Sequence, residues 1–125
     1  MKDITIIVPD RGGAVPEVWE SLGAAGVNVE AAVSFSREHH RVVHLVVEDD
    51  VADQAEQVLR NADLLIVDVR EVLIVPLEDR PGSLAEVTRT AYEADAEVYL
   101  LSLATRNRVM LGVANLEAAR QAFGL

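Results

Sequence analysis

The 125-residue chain contains no cysteine. That excludes disulfide staples, thiolate zinc sites and CxxC metal transfer, and it suits a reducing cytoplasm. Aromatic residues amount to 4%, too few for a platform on which nucleic-acid bases stack. Positive charge is scarce: 11 Lys and Arg stand against 21 Asp and Glu, a net charge of −10. Nucleic-acid binding needs a basic face that releases counterions from phosphates. Anionic membrane surfaces are disfavoured on the same electrostatic ground, and the acidic balance serves solubility. No apolar run approaches the ~20 residues that span a bilayer. Met1-Lys2-Asp3 enters a strand without a signal-peptide pattern. What is plentiful is aliphatic. Half the residues are apolar, which supports a folded core and argues against disorder. The length fits one ordinary domain or two small ones.

The most informative stretch is Asp79-Arg80-Pro81-Gly82-Ser83-Leu84-Ala85. A β-prone run, Val72 to Val75 and Leu77, leads into it. Leu84, Val87 and Ala91 lead out at helical spacing and share one face. Pro81 suits the first turn of a helix, where its missing N–H is no loss. Gly82 lets other atoms approach its backbone. Strand, tight loop and helix start together leave free N–H groups and the positive end of a helix dipole at the corner, a setting for a small anion such as a carboxylate.

The same pattern occurs earlier as Asp10-Arg11-Gly12-Gly13-Ala14, after a strand of Ile4, Ile6, Ile7 and Val8. A shift of 69 places Asp10 on Asp79, Arg11 on Arg80, Gly13 on Gly82 and Glu17 on Glu86. Seven of the twenty pairs from 10 to 29 are identical without a gap. Two copies of one unit explain this better than chance. The first unit, 1–70, is expected to be βαββαβ. Its strands span 3–8, 27–35, 40–48 and 64–69. One helix spans 14–25 and stops at a left-handed Gly26. The other is capped by Asp49 or Asp50 and buries Val51, Ala55, Val58, Leu59 and Ala62. The second unit, 71–125, is expected to be βαββα. It has strands at 72–77, 98–104 and 108–114, helices at 82–94 and 116–123, and Asn115 as an N-cap. A counterpart of Leu64–Val69 would fall near residue 133, past the last residue. One sheet edge is then open or filled by a partner chain. With only Arg70 and Glu71 between apolar strands, the units are expected side by side. The class is α+β: two ferredoxin-like units with antiparallel sheets and helices on one face, the second lacking its last strand.

The motif Asp-Arg-Pro-Gly-Ser-Leu after a strand and before an amphipathic helix, doubled in 125 residues, resembles a tandem pair of ACT domains over nearly the whole chain. The resemblance implies a non-enzymatic regulatory sensor of a small molecule, most often an amino acid, held between ACT units. It implies ligand contacts from Asp10, Arg11, Gly12, Gly13 and Ala14 in the first loop, and from Asp79, Arg80, Pro81, Gly82, Ser83 and Leu84 in the second. It also implies a contact from Asn28 at the start of a strand. Glu97 stands at the matching position of unit 2, so one site using Asn28 is implied rather than two. It further implies no cofactor, a metabolic enzyme as regulated partner, and, with the open edge, a homodimer. The physical chemistry agrees: a glycine-preceded helix start supplies donors for the carboxylate. Asp10, Asp79 or the Asn28 carbonyl supplies acceptors for the ammonium. The alternative is a ligand-free subunit that docks on an enzyme.

No catalytic or metal constellation stands out. His40 and His44, four apart on one strand, lie roughly 13 Å from each other, too far to chelate one ion. Glu48, Asp49, Asp50 and Asp53 lack the glycine and ligand spacing of a calcium loop. They read as a solvated helix start. Ser83 has no histidine near it in sequence, so it reads as a hydrogen-bonding helix-start residue rather than a nucleophile. Trp19 reads as core or interface. Tyr92, Tyr99 and Leu101 read as core, with an apolar partner surface as the alternative.

Overall fold

A computed structural model describes residues 1–125. The chain divides into Met1–Arg70 and Glu71–Leu125. Unit 1 runs β1 (Lys2–Pro9), α1 (Ala14–Ala24), β2 (Ala31–Arg37), β3 (His40–Val47), a 3₁₀ turn (Asp49–Val51), α2 (Ala52–Asn61) and β4 (Leu65–Glu71). Its strands lie in the order β4-β1-β3-β2. β3 pairs antiparallel with both neighbours, Ile4 facing Leu45 and Val33 facing His44. Period-2 alternation puts Ile4, Ile6, Val8, Val43, Leu45 and Val47 on the face covered by α1 and α2. Val18 and Leu22 of α1, and Ala55 and Leu59 of α2, close the core over them. Trp19 packs against its edge.

Unit 2 runs β5 (Leu73–Pro76), α3 (Ser83–Glu93), β6 (Val98–Ala104), β7 (Arg108–Val113) and α4 (Leu116–Phe123). Its strands lie in the order β6-β7-β5, with β7 antiparallel to both. Leu73, Val75, Val109, Leu111 and Val113 form its core with Ala91 of α3 and Ala119 of α4. Both units thus carry helices on one face of an antiparallel sheet, and the second has no counterpart of β4. No helix is long and apolar enough to cross a membrane.

Several local expectations change. Residues 27–30 are not strand, although Val27 and Val29 alternate with polar residues. The Val27 N–H turns back to the Leu22 carbonyl at 3.0 Å and closes the end of α1; the first bond to β3 is from the Glu30 N–H to the Val46 carbonyl at 2.8 Å, and the β2–β3 register begins at Ala31. No aspartate side chain caps α2, which enters through the 3₁₀ turn. Asp49 instead meets the N-terminal ammonium at 3.1 Å. The buried side of α2 is Ala52, Ala55 and Leu59, with Val58 partly covered, while Ala62 lies past the helix and is exposed. Pro81 precedes α3 rather than opening it, because Gly82 takes the left-handed conformation between them. Leu84 faces water at 40% exposure instead of joining Ala91 in the core. Tyr92, Tyr99 and Leu101 are also exposed. Asn115 does cap α4, accepting from the Ala118 N–H at 3.1 Å.

Candidate functional site

The two strand-to-helix corners have the same backbone. Gly13 sits at φ 84°, ψ −9° and Gly82 at φ 91°, ψ −12°. Only glycine adopts this region at little cost. Around each glycine the turn bonds match. Arg11 N–H reaches Pro9 O at 2.9 Å and Ala14 N–H reaches Arg11 O at 3.3 Å. Arg80 N–H reaches Glu78 O at 2.9 Å and Ser83 N–H reaches Arg80 O at 3.3 Å. The identical Arg and Glu of the repeat now have a shared role. The Arg11 guanidinium donates to Glu17 at 2.7 and 3.3 Å, and that of Arg80 to Glu86 at 2.7 Å and Glu78 at 2.6 Å. These bonds hold the Glu17 and Glu86 carboxyls below the usual carboxylate range and raise both arginines. All four side chains are largely exposed, so the pairs shape the corner more than they stabilise the fold.

The corners differ in what they leave open. Neither helix has a side-chain cap. In unit 2 the N–H groups of Leu84 and Ala85 make no bond within the chain. In unit 1 the corresponding residues are Val15 and Pro16, and proline has no N–H to offer. Ser83 is 5% exposed and its Oγ has no partner; its counterpart, Ala14, has no hydroxyl. A buried hydroxyl without a partner costs on the order of 1–3 kcal/mol, so the orphan at Ser83 calls for an account. The Asp79 carboxylate makes no hydrogen bond or ion pair, whereas Asp10 is faced by Arg41 at 3.9 Å.

A cavity of about 510 Å³ opens at the unit 2 corner. Leu77, Glu78, Asp79, Arg80, Pro81, Gly82, Ser83 and Leu84 line one side, and Leu103, Ala104, Asn107 and Arg108 the other. Asn107 sits at φ 50° in the β6–β7 turn, and its carbonyl accepts from the Leu77 N–H at 2.9 Å, tying that turn to the corner. The unit 1 corner has about 230 Å³, lined by Asp10, Arg11, Gly12, Gly13, Val15, Pro16 and Arg41. The second loop therefore assembles into one concave site with the β6–β7 hairpin, whose residues the sequence pattern did not single out as ligand contacts.

Asn28 is placed elsewhere in unit 1. Its Nδ2 donates to Glu30 Oε1 at 2.8 Å. It precedes Ala31, which pairs with Val46 near the start of β1, whereas Gly12 and Gly13 follow the end of β1. The length of β1 separates them, about 23 Å at ~3.3 Å per residue. A single unit does not present both to one small ligand. Glu97 has a left-handed backbone, φ 51°, and its carbonyl takes the Ala114 N–H.

In unit 1, His44 Nδ1 lies 2.9 Å from Asp3 Oδ2 and 3.1 Å from Thr5 Oγ1. Asp3 is buried, and the loss of solvation raises its carboxyl above the usual value despite the bond to His44. No group of three or more His, Asp or Glu side chains stands within reach of one metal ion. Unit 2 has no histidine, lysine or cysteine, and the charged side chains lining its cavity are Glu78, Asp79, Arg80 and Arg108.

The fold has solved counterparts. A protein from Bacteroides thetaiotaomicron, BT0572, superposes with a TM-score of 0.83 at 20% identity, over 98% of this chain and 85% of that one. The regulatory subunit of aspartate kinase from Thermus thermophilus, in its ligand-free form, gives 0.71 at 21%, over 98% and 91%. That from Thermus flavus gives 0.66 at 22%, over 98% and 92%. The chain has the tandem ACT fold. At these identities the likeness is one of ACT architecture. No protein-family model and no curated protein matches the sequence.

Proposed function

We propose that this protein is a non-catalytic regulatory sensor that binds an amino acid at the ACT corner of unit 2. The observation that carries the reading is the unpartnered Ser83 hydroxyl beside two free helix-start N–H groups, in a cavity of about 510 Å³. A carboxylate there accepts from the Leu84 and Ala85 N–H groups and from Ser83 Oγ, and gains from the helix dipole. The α-ammonium then meets Asp79 or the Asn107 side-chain carbonyl. Of the residues implied by the resemblance, Asp79 to Leu84 form this site. Asp10 to Ala14 form a smaller corner with fewer donors, and Asn28 serves a separate place in unit 1. The reading extends to a cytoplasmic homodimer that acts on a metabolic enzyme. A thermal-shift screen of the twenty amino acids tests the sensor. Specific stabilisation, lost in Gly82→Val, is the expected result, and no shift with any amino acid contradicts it.

One observation favours a second reading, a ligand-free docking subunit. Leu65, Val67 and Val69 alternate along β4 with the core-facing Ile66 and are 61%, 50% and 37% exposed. Such an apolar strip serves a protein partner. Co-purification with an enzyme, without any amino-acid stabilisation, selects this reading over the first.

A further inference from the structure

We propose that the unit 2 cavity selects an amino acid with an uncharged, apolar side chain. The proposal rests on the sensor reading and adds to it the chemistry of the side chain. Once the carboxylate lies on the helix start and the ammonium on Asp79, the apolar part of the remaining wall is Leu77, Pro81, Leu84, Leu103 and Ala104, beside Glu78, Arg80, Asn107 and Arg108. Leu84 and Leu103 are 40% and 61% exposed, so their apolar surface gains from being covered by a ligand.

The charged groups at the rim are unsuited to a charged side chain. An acidic one needs a free cation. The Arg80 guanidinium is held by Glu78 and Glu86, while the Arg108 guanidinium keeps its charge but is turned onto the Thr105 carbonyl and hydroxyl at 2.9 and 3.0 Å. Glu78 and Asp79 would also repel it. A basic side chain competes with the α-ammonium for Asp79, and its second charge would be left along leucines, which strips its hydration without replacement. A branched aliphatic or thioether side chain has no such cost. The same argument limits binding to one site per chain, since the unit 1 corner is smaller and lacks the hydroxyl and one N–H.

Isothermal titration calorimetry on the full chain tests this, with L-alanine, L-valine, L-leucine, L-isoleucine, L-methionine, L-aspartate and L-lysine as probes. Affinity is expected to rise from alanine through valine to leucine by about fourfold per buried methylene. Aspartate and lysine are expected to bind at least tenfold more weakly than leucine. Leu103→Asp, at an exposed position outside the core, is expected to weaken leucine binding tenfold or more. Aspartate or lysine binding as tightly as leucine would overturn the proposal and leave the sensor reading standing. So would a Leu103→Asp variant that binds leucine unchanged. Absence of heat with every probe would remove the sensor reading itself, and this proposal with it.

Discussion

At Ser83 a hydroxyl is buried without a partner, while Ala14, its counterpart, has none to bury. Ser83→Ala should therefore stabilise the ligand-free protein by about 1 kcal/mol, seen as a higher urea midpoint, and weaken amino-acid binding in the same sample. A loss of stability would mean the hydroxyl already has a partner. Gly82 carries the opposite prediction. Its φ of 91° makes Gly82→Ala cost about 1–2 kcal/mol, measurable by denaturation without ligand. Asp3 is a third case. Its folded carboxyl is raised above 3.8, chiefly by burial. The native state then holds a proton that the unfolded chain releases, so the contribution to stability is full below pH ~4 and falls as pH rises through the folded value. Asp3→Asn should abolish that fall, and urea midpoints measured from pH 3.5 upward would show it; an unchanged slope would assign it to another group.

The corner helices repeat more faithfully than anything else in the chain. α1 and α3 begin and end at positions 69 apart, 14 to 24 and 83 to 93. This much was legible because glycine, arginine and glutamate recur at fixed offsets, and each has a local reason to do so: a left-handed turn and an ion pair across it. The strand at 98–104 and the helix at 116–123 with its Asn115 cap were likewise readable. The start of β2 was not, because alternation in Val27 and Val29 cannot reveal that an N–H is already committed to the end of α1. Nor was the entry to α2, where two adjacent aspartates suggested a cap and a 3₁₀ turn formed instead. The helix starts also supply an internal test. Pro16 shows that proline is accommodated at the third residue of this helix start. Ala85→Pro should therefore fold, with unchanged helix content by circular dichroism, yet bind an amino acid several-fold more weakly for want of one N–H. Unchanged affinity would take the Ala85 N–H out of the site.

For the molecule as a whole, duplication and fold class could be read from residues alone, since repeats and periodicity are properties of the line of sequence. The cavity could not. It arises because the β6–β7 turn, distant in sequence, is tied to the corner by the Asn107–Leu77 bond. The inequality of the two corners is carried by single substitutions, Ala14 for Ser83 and Pro16 for Ala85, which mean little until the helix start is seen around them. At this scale the homodimer reading predicts a particle of twice 13.6 kDa by sedimentation velocity; a species at the chain mass at all concentrations would contradict it. The most direct test of the central claim is a titration of the ¹⁵N-labelled protein with L-leucine, followed by amide chemical shifts. The site described here predicts that the largest changes fall on Gly82, Ser83, Leu84 and Ala85 and saturate at one equivalent per chain. Changes confined to other residues, with these four amides unmoved, would contradict it.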